Sequence, residues 1–98
     1  MDVRRELGVV RLTGKYLLGF RQSYLSVVRR SAKAVVLASN CPESMRQVLE
    51  LAAKISETPI IYSDLTAREI GQALGKPFGA STVAIIDPGN SSLLGEAS

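Results

Sequence analysis

Three short polar segments close apolar runs of the sequence: Gly19-Phe20-Arg21-Gln22-Ser23, Ser39-Asn40 and Gly75-Lys76-Pro77-Phe78. A glycine ahead of a helix leaves unpaired amides at the positive end of the helix dipole, where a phosphate binds. The same glycine also serves a tight strand-to-helix turn for steric reasons. Arg21 and Lys15 flank that turn, and an arginine can bridge O6 and N7 of a guanine through its two-pronged donor geometry. The Asn40 carboxamide both donates and accepts, as base edges require, and equally suits capping a helix that begins near Pro42. Phe78 stands in the loop Gly75-Lys76-Pro77-Phe78-Gly79, where it either stacks on an unpaired base beside Lys76 or folds back as a lid on the core. Amides, guanidinium, carboxamide and ring together suit the grip on a folded polyanion better than the breaking of a bond.

Composition points the same way. The 98 residues include no histidine, which removes the commonest general acid/base, triad member and metal ligand at neutral pH. A lone Cys41 builds neither a disulfide framework nor a zinc site and reads as a small, half-buried apolar residue. Neither the Walker spacing nor the paired-glycine dinucleotide pattern is present, so no cofactor is expected. An enzyme reading would rest on Ser23, Asp64 and Asp87, each of which fits a turn or cap.

Net charge is +3 and unevenly spread. Residues 1–46 hold nine basic side chains against three acidic ones, for +6, and residues 47–98 hold three against six, for −3. The asymmetry predicts one electropositive face suited to phosphates, Arg46 included. The longest apolar run, Ala34 to Ala38, is far short of the ~20 residues that span a bilayer. The start Met1-Asp2-Val3-Arg4-Arg5 lacks the apolar stretch of a secretory signal. An intracellular, cytoplasmic protein with no membrane segment is expected.

The elements that must position these residues follow from periodicity. Val3, Leu7 and Val10 mark a helix over about 3–13, and Tyr16-Leu17-Leu18 a short strand that Gly19 breaks. Phe20, Tyr24, Val27 and Val28 share one face of a helix to about Arg30, with Arg21, Gln22 and Ser26 turned elsewhere. Ala34 to Ala38 reads as a strand covered on both faces. Pro42 suits the first position of a helix whose stripe is Met45, Val48, Leu49, Ala52 and Ile55. Ile60-Ile61-Tyr62 is a third strand. Thr66 and Glu69 form a capping box, with Leu65 and Ile70 as a hydrophobic staple, so a helix starts at Ala67 and Gly75 ends it. Val83 to Ile86 is the last strand, before the turn Asp87-Pro88-Gly89-Asn90. The alternation predicts a single domain over 1–98, a three-layer α/β/α sandwich with a four-stranded mixed sheet, and a weakly ordered tail over 91–98.

These segments, in colinear order, carry a resemblance. Thr13-Gly14-Lys15, Leu18-Gly19-Phe20-Arg21-Gln22-Ser23, Ala32 through Asn40, Glu69-Ile70-Gly71, Ala73-Leu74-Gly75-Lys76-Pro77 and Ile86 through Ser91 resemble the L-thirty-e family of archaeal and eukaryotic large-subunit ribosomal proteins. That family belongs to the superfamily that recognises kink-turn RNA. Where this chain has Phe20-Arg21-Gln22, the broader superfamily usually carries an Asn-Glu pair. The resemblance implies an archaeal protein with a four-stranded sheet between helical layers, monomeric when isolated. Its implied partners are ribosomal RNA and other large-subunit proteins, and no catalysis is implied. The implied RNA contacts are Gly19, Arg21, Asn40 and Phe78, with Lys15 and Lys76 as phosphate neighbours, and Phe20 and Arg46 complete the residues expected to bind RNA. The rival readings are an RNA-binding protein of the same superfamily acting outside the ribosome, the small α/β enzyme above, and a protein-interaction module that would use exposed Leu and Val of the first helix.

Overall fold

The computed structural model describes residues 2–97 of the chain, with side chains through Gly95. The elements run α1 (Val3–Thr13), β1 (Lys15–Leu18), α2 (Phe20–Val28), β2 (Ala34–Leu37), α3 (Glu43–Ser56), β3 (Ile60–Tyr62), α4 (Ala67–Ala73), β4 (Thr82–Asp87) and α5 (Leu93–Ala97). The strand order is β1-β4-β2-β3. β4 runs antiparallel to both β1 and β2, whereas β2 and β3 are parallel, so the sheet is mixed as expected.

Every residue of β2 is buried, because the sheet is covered on both faces. Ala34 and Val36 face a layer with Leu7 and Val10 of α1 and Ile70 of α4. Val35 and Leu37 face Val27 of α2 and Leu49 and Ala53 of α3. Alternation along one strand thus feeds two separate apolar clusters, and the α/β/α sandwich follows.

Local signals set the helix ends. The Asp2 carboxylate accepts from the Arg5 N–H and caps α1. Both halves of the Thr66/Glu69 box are formed on α4, and Leu65 packs on the cluster that holds Ile70. Past α4, the Gly75 N–H donates to the Gln72 carbonyl and the Lys76 N–H to that of Gly71, with Gly75 left-handed. That is the paired closure that glycine at this position allows.

Three expectations are corrected. Pro42 is the N-cap residue of α3 rather than its first helical residue, with extended ψ of 136°. On α2 the core face is Ser23, Ser26 and Val27, while Tyr24 and Val28 are exposed. The apolar stripe read from the sequence is wider than the sheet can cover. Residues 91–97, expected as a weakly ordered tail, carry α5. Its Leu93 is fully buried, and the Ser92 N–H donates to Glu6 of α1 at 2.6 Å. Ser98 lies outside the described residues.

Candidate nucleic-acid interface

The C-terminal ends of β1, β2 and β3 and the start of β4 meet at one edge of the sheet, as the register Leu18↔Val83 and Leu37↔Thr82 requires. Backbone hydrogen bonds stitch the segments there. The Gly19 N–H donates to the Thr82 carbonyl at 2.9 Å, Ala38 to Ser81 at 2.9 Å, Ser39 to Leu65 at 2.8 Å and Ala80 to Ala67 at 3.0 Å. Below the turn, the buried Ser23 hydroxyl donates to the buried Thr82 hydroxyl at 3.2 Å.

Gly19 is the N-cap of α2 with φ of 92° and ψ of 164°. A Cβ there would meet nothing within 4 Å. Glycine is needed for the backbone angle, which side chains disfavour. The first helical bond is Ser23 N–H to the Gly19 carbonyl at 3.0 Å, so the amides of Phe20, Arg21 and Gln22 remain without acceptors among the described residues. Arg21 is exposed and makes no ion pair among them. The Phe20 ring lies against Tyr24, centroids 6.1 Å apart, and against the α2/α3 cluster. It buttresses the turn.

Asn40 stands at the same end of the sheet, across β4 from this turn. Its Oδ1 accepts from the Ala67 N–H at 2.9 Å, so the carboxamide caps α4, not the helix after Pro42. The Nδ2 group is left to donate outward. Phe78 is 57% exposed and is no lid. It lines a recess of about 500 Å³ with Arg68, Gln72, Lys76, Pro77 and Gly79. The loop is seated on Gly71, where an added Cβ would lie 1.9 Å from the Phe78 carbonyl oxygen. Opposite Gly71, Phe78 stands on the α4 flank, and its chain returns to the stitched edge at Ala80.

Two other expected cations lie elsewhere, and Lys76, although it lines the recess of Phe78, turns its ammonium to Tyr16. Lys15 is paired with Asp87 at the opposite end of β1, about 13 Å from Gly19 at ~3.3 Å per residue. Lys76 has its ammonium 5.8 Å from the Tyr16 ring centroid, within cation–π range. Arg46 is engaged by Glu50 at 3.4 Å and Glu43 at 3.5 Å on its own helix. Glu50 also accepts from the Tyr62 hydroxyl, and that hydrogen bond holds the phenol above its ordinary pKa. Burial pushes the Cys41 thiol up, partly offset by Arg46, as befits an inert packing residue.

The single electropositive face is also corrected. Arg29 and Arg30 follow α2, the Lys33 N–H donates to the Ile85 carbonyl at 2.7 Å, and Lys15 faces Asp87. All four sit at the end opposite Gly19 and Asn40, because each αβ alternation sends successive element ends to opposite edges. Arg68 was not singled out by sequence. It is the second residue of α4 and exposed in the recess of Phe78. The capping box fixed its place on the helix, but only the fold brings it to that ring.

The groups of the enzyme reading do not converge. Ser23 is buried on Thr82, Asp87 accepts from the Gly89 N–H in its turn at 2.9 Å, and these two lie at opposite ends of the sheet. No cluster of three metal-ligating side chains occurs among the described residues. No helix there is long and apolar enough to cross a membrane.

Comparisons with known proteins agree with this architecture. Residues 1–95 match the model of the Ribosomal protein L7Ae/L30e/S12e/Gadd45 family. The chain is 39% identical over 97 residues to the large ribosomal subunit protein eL30 of Aeropyrum pernix, covering 99% of this chain and 97% of that protein. It is 38% identical over 94 residues to the eL30 of Methanothermobacter thermautotrophicus, covering 96% of both. The eL30 of Methanococcus vannielii is 34% identical over 94 residues, 96% of this chain and 90% of its own. A Bacillus halodurans protein whose structure is described as of unknown function shares the fold, with a TM-score of 0.85 at 20% identity over 98% of this chain and 95% of that one. With a mixed four-stranded sheet between helical layers and colinear relatives along almost its whole length, the chain belongs to the ribosomal protein L7Ae/L30e/S12e/Gadd45 family.

Proposed function

We propose that the chain is a structural constituent of the large ribosomal subunit, acting as one RNA-binding domain that holds kinked or internal-loop rRNA at the stitched edge. The relatives named large ribosomal subunit protein eL30, matched end to end, support the placement in a cytoplasmic ribosome among other large-subunit proteins. The role is structural, not catalytic.

The observation that carries the reading is the placement of the Gly19 turn and Asn40 at one end of the sheet. Three unsatisfied amides and the Arg21 guanidinium stand there across β4 from a carboxamide fixed by its bond to Ala67. The amides take a backbone phosphate, Arg21 reads a purine edge and Asn40 donates to a base or ribose. Phe78, with Arg68 at its side, stacks on a base splayed from the bend. A bent RNA carries its deformation cost when free, so shape selects the partner with few base contacts.

Gel shifts with kink-turn, internal-loop and plain duplex RNAs over a range of salt test this. Affinity should favour a bent RNA over duplex and fall steeply with ionic strength. Equal affinity for all three RNAs would reject shape recognition, and salt-independent binding would reject phosphate contact. The same protein bound outside assembled subunits, on a non-ribosomal RNA, would favour the rival superfamily reading.

A further inference from the structure

Five of the nine exposed large apolar side chains among the described residues gather on α2 and α3, where Val28 is 50%, Leu51 61% and Ile55 68% exposed, while Leu12, Leu17, Tyr62 and Phe78 stand apart from one another. On α1, where an interaction module would show them, Val3, Leu7 and Val10 are buried. The exposed residues line a groove of about 390 Å³ between α2 and α3, formed by Tyr24, Val28, Val48, Leu51, Ala52 and Ile55 and closed at one end by Arg30 and Ser56. α2 and α3 run in the same direction, each leading away from the stitched edge, so the groove is a trough about two helical turns long on the outer face of the sandwich. A soluble protein seldom leaves so contiguous an apolar surface uncovered.

Charge decides what fits it. Arg30 lines the far end, where its guanidinium donates to the Ser56 carbonyl at 3.5 Å. Arg29 adjoins it, and Lys54 lies one turn past Leu51 on α3. Arg21, three residues before Tyr24 and seven before Val28, continues the same stripe at the near end. None of these four has an ion-pair partner among the described residues. The carboxylates of the two helices are spoken for or outnumbered: Glu43 and Glu50 hold Arg46, and Glu57 stands alone at the end of α3. Both ends of the trough are therefore cationic. A second copy of this chain, laid across it in either sense, would set cations against cations. RNA is a poor occupant as well, since the floor is aliphatic and its one ring, Tyr24, already rests on Phe20.

We infer that the α2/α3 groove is a docking surface for a helix of another protein, one with an apolar stripe at i, i+3, i+4 and i+7 and acidic side chains at both ends. The groove's own lining lies apart from the edge proposed for RNA, and Arg21 alone stands between the two surfaces, so the two partners meet at that residue.

The test uses a fluorescein-labelled synthetic helix with leucines at that spacing and glutamates at both ends, titrated with the full chain at low salt and read by anisotropy. Saturable binding is expected, weakened roughly tenfold or more when each glutamate is replaced by lysine. The double variant Leu51→Ser, Ile55→Ser changes two exposed positions. It should weaken the glutamate helix by a similar factor while its circular dichroism and RNA gel shift stay at the parental level. Absence of binding, equal binding of the glutamate and lysine helices, or indifference to the double variant would overturn the proposal. So would sedimentation of the parent chain as a dimer that the double variant dissolves, which would assign the groove to a second copy. Loss of the RNA gel shift in the double variant would assign it to RNA.

Discussion

The two ends of the sheet make a useful contrast. The far end, with Lys15, Arg29, Arg30 and Lys33, carries more positive charge than the end with Gly19 and Asn40. Yet the Gly19 end is the one where four segments are tied together by cross-element backbone bonds and where donors are held in place without partners. Charge alone draws any polyanion, whereas fixed, unsatisfied donors can select among shapes. The contrast teaches that a count of basic residues locates attraction, and backbone geometry locates recognition.

The sharpest way to break the contrast uses two glycines. An added Cβ meets the Phe78 carbonyl oxygen at 1.9 Å in Gly71→Ala and the Asp87 carbonyl oxygen at 2.2 Å in Gly14→Ala. Each should destabilise by about 3 kcal/mol, since backbone must move. In urea melts the two variants should look alike, but only Gly71→Ala, which unseats the Phe78 loop, should also weaken RNA binding under folding conditions. Matching losses of affinity would erase the distinction between the ends.

A smaller effect is expected at Asn40. Asn40→Ala should cost about 1–3 kcal/mol of RNA affinity and also loosen α4, because the Ala67 amide loses its acceptor. Asn40→Asp keeps an acceptor for that amide but removes the outward donor. Thermal stability near the parental value with RNA affinity lost would separate the two duties. Retained affinity in both variants would remove Asn40 from the interface.

Charge at the two ends can then be compared directly. Arg21→Ala should lower RNA affinity by about 1–3 kcal/mol, as loss of a base-edge contact does. The pair Arg29→Ala, Lys33→Ala should change it less, and a larger change from that pair would move the interface to the far end.

The smallest effect concerns the helix start on which Asn40 also acts. Hydrogen bonds from Thr66, together with Arg4, hold the Glu69 carboxyl below its ordinary pKa. A carboxyl lowered in the folded state stabilises fully above its unfolded value of about 4.3 and loses that contribution as pH falls through the lowered folded value. Thr66→Ala should cost about 1 kcal/mol at neutral pH, and less in acid as the box is titrated. Chemical melts at pH values on both sides of that range would show the gap narrowing. A constant gap would deny the coupling.

Much of this molecule was legible before any coordinates. The capping box, the staple and the twice-covered β2 are local or strictly periodic, so a single sequence reveals them. The Gly19 turn was legible for the same reason. What escaped depends on distant contacts. Asn40 serves a helix whose capped amide is 27 residues away. α5 is held by a bond spanning 86 residues, and its one buried leucine forms no period. Lys15 and Arg21 are near in sequence but a strand apart in space, and α2 and α3 expose apolar residues that periodicity assigns to a core.

The place of β4 in the sheet has a consequence for biosynthesis. Among the described residues β1 has no ladder partner but β4, and β4 joins it to β2 and β3. The first strand to leave a translating ribosome therefore waits for the last. A nascent chain paused before Thr82 has two unjoined halves and exposes both apolar layers to chaperones. It also lacks the Thr82 carbonyl and hydroxyl that hold the Gly19 turn, so that turn takes its shape only when the last strand arrives.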